Sequence, residues 1–168
     1  QARFNMIEQQ IRPWEVLDAG VLALLAVVRR EDFVPAAFRS MAFMDTEIPL
    51  PDGQCMLAPR VEARLLQELQ LQRHQSVLEI GAGSGFMAAL LAHRSRQVVS
   101  LEISQTLTHM AQDNLRRAGV MNAVVRCADG SAGLSGEAPF DAIVLSGSVA
   151  AVPQALLDRA DSVIRQFP

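Results

Sequence analysis

The sequence predicts an α/β fold with a mostly parallel sheet and helices on both faces. Three observations predict it. From residue 76 onward, short apolar runs alternate with stretches of helical periodicity. A glycine-rich break, "GAGSG", stands between the first apolar run and the helix that follows it. Half of the 168 residues are apolar and one fifth are charged, an ordinary globular composition on a chain long enough to bury a core.

Taken in order, the elements justify that class. Asp18 is placed to cap a helix whose buried side carries Val21, Leu22, Leu24, Leu25 and Val28. That helix must end before Pro35, because the residue preceding a proline avoids the helical region. Residues 44–59 contain Pro49, Pro51, Pro59 and Gly53 and predict an extended or looped segment. Residues 60–71 return to helical spacing through Val61, Leu65, Leu66 and Leu69. Strands are then predicted at 76–80, 98–101, 123–126 and 140–145, the last reading "FDAIVL". Helices are predicted at 86–93 and 105–118, the second closed by Gly119. Right-handed βαβ units follow from this alternation. After 153–159 a further glycine-marked turn and strand are expected. Instead "DSVIRQFP" ends the chain, so the C-terminal strands read as incomplete, and Gln1 reads as a trimmed start. Trp14 and the phenylalanines near the start are expected to pack as core over the sheet or to cover the cofactor.

Composition narrows the function classes. A formal net charge of -3 carries no basic excess, so no nucleic-acid footprint is expected. Arg29-Arg30 and Arg116-Arg117 read as solvated helix faces. Cys55 and Cys127 cannot build a disulfide framework, and His74, His93 and His109 are scattered, so no metal is expected. The longest apolar run, within 19–28, is too short to span a bilayer. It also lies behind Glu8, Glu15 and Asp18, unlike a signal peptide, and a cytoplasmic location is expected.

Gly81, Gly83 and Gly85 follow a strand and open a helix. Such a turn lets a ligand approach the backbone, and the helix N-terminus adds free N–H donors. The pattern is GxGxG, not the dinucleotide GxGxxG, and Phe86 stands where a third dinucleotide glycine would fall. No GK[ST] follows, which excludes a P-loop. A ligand with an adenosine and no pyrophosphate remains. Glu102, ending the strand in "VVSLEIS", is placed to accept from two ribose hydroxyls; alone it could be a solvated strand-end glutamate. Asp129 and Gly130 in "RCADG" could serve an adenine amine, although an aspartate–glycine pair alone is more often a plain turn. Asp141 could simply cap a turn. Ser146-Gly147 lies where a substrate would meet the cofactor.

With these residues laid out, the chain resembles S-adenosylmethionine-dependent methyltransferases of the Rossmann-like class, and more closely the protein-L-isoaspartate O-methyltransferase family. The likeness runs through "MIEQQIR", "REDFVP", "DTEIPLPDGQ", "VLEIGAGSG", "LEIS", "ADG" and "APFDAIVLSG". It implies one methyltransferase domain over 1–168, with a helical and looped cap and acceptor segment at 1–75 and a cofactor-binding core at 76–168. It implies S-adenosyl-L-methionine as cofactor and S-adenosyl-L-homocysteine as product. Glu79, Gly81, Ala82, Gly83, Ser84, Gly85, Glu102, Ile103, Asp129, Gly130 and Ser146 would then form the cofactor site. The substrate implied is a protein or peptide bearing an isoaspartyl carboxylate, with no nucleic-acid or membrane partner.

One departure falls in the acceptor segment, Gln54, Cys55, Met56, Leu57 and Pro59. The family usually carries a Thr-x-Ser-x-Pro-like stretch there, its serine taken as the active-site residue. Cys55 stands at the threonine place and Leu57 at the serine place, while Ala58 and Pro59 keep the frame. Leucine cannot donate a hydrogen bond, and Cys55 offers only a weak S–H. Two alternatives therefore accompany the reading: a methyltransferase with another acceptor, and a cofactor-binding module without turnover.

Overall fold

The computed structural model describes residues 1–132, 139–146 and 160–165, the last as backbone. The chain opens with a short helix α1 (Ala2–Met6), a π-helical stretch (Ile7–Ile11) and a 3-10 turn (Arg12–Trp14). Helix α2 (Ala19–Val27) is capped by Asp18, whose side chain accepts from the Val21 N–H at 2.9 Å. Val21, Leu22, Leu24, Leu25 and Val28 are all buried, as their spacing predicts. Beyond two 3-10 turns, the proline-rich stretch forms a small antiparallel hairpin, β1 (Ile48–Pro49) and β2 (Cys55–Met56). Pro59 then occupies the first position of α3 (Pro59–Leu69), where its missing N–H costs nothing.

The core sheet comprises β3 (Ser76–Ile80), β4 (Gln97–Glu102), β5 (Ala123–Cys127), β6 (Phe140–Leu145) and β7 (Ala160–Arg165). Its order is β5-β4-β3-β6-β7, with every pairing parallel. Helices α4 (Phe86–Arg94) and α5 (Gln105–Arg117) form the two crossovers on one side of β3. The chain then jumps to β6 on the other side of β3. The β3/β6 boundary is thus the topological switch point, where open α/β sheets bind ligands beyond their strand ends.

Val77, Val98, Val125, Ala142 and Val144 face one buried cluster with residues of α2, α3, α4 and α5. Leu78, Val99, Leu101, Phe140, Ile143 and Leu145 form a second cluster on the opposite face. Burial on both faces explains why these strands read as continuous apolar runs.

Three expectations are corrected. The stretch "DSVIR", read as ending the chain without a strand, lies in β7, registered against β6 through Ile143↔Val163 and Val144↔Ile164. Arg30 is no solvated residue: it is 1% exposed, whereas Arg29, Arg116 and Arg117 are exposed. Trp14 is 43% exposed, and the Arg60 guanidinium lies 4.7 Å over its ring, so it covers no core. Phe33 is the buried aromatic of that region, edge-to-face with Phe86 at 5.4 Å. Residues 153–159, and Gly147, which the sequence places where a substrate would meet the cofactor, lie outside the described residues. No described helix is long and apolar enough to cross a membrane.

Candidate cofactor and acceptor site

The carboxyl ends of β3, β4, β5 and β6 bring the predicted residues to one sheet edge. Gly81, Gly83 and Gly85 have φ of 96°, 54° and 89°, left-handed values that side chains disfavour. The turn between β3 and α4 is firmly held. The Gly81 N–H continues the ladder to the Leu101 carbonyl at 2.8 Å, and buried Asn114 of α5 donates to the Ser84 carbonyl at 2.9 Å. Ala82 and Ser84 are buried beneath it. No side chain caps α4, so the N–H groups of its first turn keep their positive end toward this edge. The glycines differ in purpose. A Cβ on Gly85 would sit 3.1 Å from the Ala111 carbonyl oxygen, so this glycine lets α4 meet α5 closely. Gly83 faces the hairpin, 3.4 Å from Leu50 by the same measure.

Glu102 is buried, which overturns the solvated-glutamate alternative. Its two oxygens accept from the Gly83 N–H at 3.1 Å and the Ser104 N–H at 2.9 Å, tying the glycine turn to the start of α5. Beside it Ile103 is 73% exposed and presents an apolar flank. Asp129 is exposed; accepting from the Ser131 N–H at 3.0 Å holds its carboxyl below the usual aspartate range. Gly130 is required by packing, since a Cβ there would lie 2.7 Å from an Ile80 methyl. Asp141 accepts from the Ser76 N–H at 2.8 Å, a structural bond at the far end of the sheet.

Glu79 is fully buried beside its register partner Ser100. The Ser100 hydroxyl donates to one oxygen at 2.6 Å and the Ser146 hydroxyl to the other at 3.1 Å. Burial pushes its pKa up to about 8 against those two donors, with Glu62 and Glu102 adding repulsion. A cavity of about 40 Å³ lies here, lined by Glu79, Glu62, Ser146, Cys55, Met56 and Leu57 together with the glycine turn.

The segment expected to receive the acceptor lines this cavity through Cys55, Met56 and Leu57. Gln54 closes the hairpin through its carbonyl, which accepts from the Leu50 N–H at 2.8 Å. Met56, Leu57 and Pro59 are buried, and Cys55 is exposed. The Cys55 thiol lies 3.5 Å from a Glu47 carboxylate oxygen, and partial desolvation, then Glu47, raises its pKa. At the hairpin tip, Asp52 accepts from the Ser104 hydroxyl, joining the hairpin to the residue that caps α5.

The sequence reading missed Arg30, Glu62 and the Asp52–Ser104 link. Arg30 and Glu62 form a buried ion pair at 2.6 Å; desolvation raises the Glu62 pKa and Arg30 opposes it. One signal was available. Glu62, Leu65, Leu66 and Leu69 share the buried stripe of α3, so a carboxylate sits where an apolar residue belongs.

Comparisons with known proteins bear on the family and the fold. A family model described as "Protein-L-isoaspartate(D-aspartate) O-methyltransferase (PCMT)" matches residues 2–162. Protein-L-isoaspartate O-methyltransferase 1 of Syntrophobacter fumaroxidans is 39% identical over 159 residues, covering 95% of this chain and 74% of its own. The protein-L-isoaspartate O-methyltransferase of Methanoculleus marisnigri is 40% identical over 157 residues, covering 94% and 71%. Among solved structures, one protein-L-isoaspartate O-methyltransferase superposes with a TM-score of 0.77 at 23% identity, covering 95% of this chain and 52% of that one. A putative one from Plasmodium falciparum, in complex with S-adenosyl-L-homocysteine, gives 0.77 at 19% identity and covers 99% and 83%. These two likenesses establish the fold.

Proposed function

The chain belongs to the protein-L-isoaspartate(D-aspartate) O-methyltransferase family, and from that premise we propose how its own residues divide the work. It is an S-adenosylmethionine-dependent methyltransferase, and its acceptor is the isoaspartyl carboxylate of a protein or peptide. The comparisons lend no support to another acceptor or to a module without turnover. One observation carries the reading: the acceptor segment and the glycine turn line the same cavity, with Glu79 between them.

The donor set fits a nucleoside with a cationic tail. Glu102, anchored by two N–H groups, keeps lone pairs for two ribose hydroxyls. Exposed Ile103 flanks the base, and exposed Asp129 accepts from its amine. Gly81, Gly83 and the open first turn of α4 receive the polar tail. Glu79 has no cation against it among the described hydrogen bonds, so a positive group in the cavity would favour its ionised form. S-adenosylmethionine supplies a sulfonium methyl whose positive charge is cancelled by the acceptor's negative charge as the group moves.

An isoaspartyl carboxyl has a pKa near ~4, by analogy with aspartate, and is an anion at neutral pH. No general base is required. The residues therefore act by orientation and by excluding water, for which Met56, Leu57, Phe86 and Met87 supply buried apolar walls. Leu57 in place of the serine removes one neutral hydrogen bond, worth about 0.5–1.5 kcal/mol and so roughly tenfold in rate. The reaction survives such a loss.

The domain reading, one domain with a cap over 1–75 and a cofactor core over 76–168, is supported by the continuous buried cluster running from Met6 to Val144. A cytoplasmic location is supported by the two free cysteines. The function is tested by incubating the chain with labelled S-adenosylmethionine and an isoaspartyl peptide. Base-labile methyl ester is expected; its absence from a chain that binds the cofactor product would overturn the assignment.

A further inference from the structure

Arg30 is the one basic side chain buried among the described residues. Its guanidinium joins four parts of the chain. Nη1 donates to Glu62 of α3 at 2.6 Å, Nε to the Ala42 carbonyl at 2.9 Å and Nη2 to the Leu57 carbonyl at 2.8 Å. Its central carbon lies 5.0 Å over the ring of Phe86, which opens α4.

An ion pair alone would need only Glu62. The two carbonyl bonds require a planar fork with fixed donor directions, which an ammonium does not offer. The Leu57 carbonyl also belongs to the position aligned with the family's active-site serine. Leu57 has no polar side-chain atom with which to hold itself. Its neighbours on one side pair only through the two-residue strand β2, and on the other side α3 begins. The glycine turn is held separately, by Asn114 on Ser84 and by Glu102 on Gly83.

We propose that Arg30 is the positioning residue of the acceptor segment: by gripping the Leu57 carbonyl it sets how residues 55–58 face the cavity, and so governs acceptor binding more than cofactor binding. The proposal rests on the reading that this segment receives the isoaspartyl carboxylate. The chain thus orients its acceptor wall through the backbone, from behind, at a position where the side chain cannot contribute a hydrogen bond.

Two variants test it. Arg30→Lys keeps a charge opposite Glu62 but not the fork. The double variant Arg30→Met with Glu62→Met removes both charges, so that no unpaired buried carboxylate remains to unfold the chain. Losing one hydrogen bond from a charged donor predicts a KM for isoaspartyl peptide raised roughly ten- to a hundredfold. In Arg30→Lys, which keeps a cation beside Glu62 and Phe86, the dissociation constant of S-adenosylhomocysteine, read by calorimetry, should change far less than KM, because Asn114 and Glu102 hold the glycine turn. Hydrogen exchange should quicken at residues 55–58 and stay unchanged at 81–85. KM and dissociation constant rising together would make Arg30 merely structural and overturn the proposal, as would an unchanged KM. If the unaltered chain methylates no isoaspartyl peptide, the functional reading fails, and the exchange pattern still decides whether Arg30 holds the segment.

Discussion

Replacing Glu79 with glutamine should flatten the dependence of stability on pH in the ligand-free protein. Glu79 has no solvent exposure, and burial lifts its pKa from the usual 4.5 to about 8. In the unfolded chain it ionises near 4.5; in the folded chain it holds its proton until about 8. Between those values the folded state binds the extra proton, so its stability falls as pH rises. Below the lower value both states are protonated and the effect vanishes. Above the upper value the loss levels off. Each pH unit inside the window costs about 1.4 kcal/mol, so raising the pH from about 5 to about 7 should remove ~2.5 kcal/mol. Glutamine fits the same space, and the hydroxyls of Ser100 and Ser146 can rotate to donate to its carbonyl or accept from its amide. The assay is urea unfolding of both proteins across that range, comparing midpoints at constant slope. The difference between them should grow in favour of the glutamine variant as pH rises. Parallel curves would refute the burial argument and mean that Glu79 is ionised in the folded chain.

Other residues give sharper local outcomes. Glu102→Ala should weaken S-adenosylhomocysteine binding by about 1–3 kcal/mol through lost charged hydrogen bonds; unchanged affinity by calorimetry would remove Glu102 from the site. Leu57→Ser should raise methylation of an isoaspartyl peptide by up to about tenfold, since it restores one neutral donor. A flat rate in a folded variant would show that the segment is not the acceptor wall. Gly85→Ala should destabilise the fold by about 1–3 kcal/mol in thermal melts, because φ is 89° and Ala111 blocks the new methyl. An unchanged melting temperature would contradict that packing.

The sheet was legible where burial is two-sided. The runs at 76–80 and 140–145 match β3 and β6 to the residue, because parallel strands covered on both faces are apolar without alternation. Beta7 was not, since "DSVIR" is short and polar at its edges and becomes a strand through its register with β6. The gathering of the glycine turn and Glu102 at one sheet edge was legible, because a strand–glycine–helix break and an acid at a strand end are local signals. What glycine does there was less so: Gly85 and Gly130 answer to Ala111 and Ile80, contacts that only the fold creates. Arg30 was misread for the same reason. A pair of arginines after an apolar helix resembles a solvated end, and nothing local reveals that Glu62, 32 residues later, waits on the buried stripe of α3.

The central claim is that this cavity methylates isoaspartyl carboxylates, and selectivity tests it most directly. Two peptides of one sequence, differing only in whether one residue is isoaspartyl or aspartyl, should be compared by kcat/KM with saturating S-adenosylmethionine. The account predicts methyl ester on the isoaspartyl peptide and little above background on the aspartyl one. Equal rates, or transfer to the aspartyl peptide alone, would contradict it.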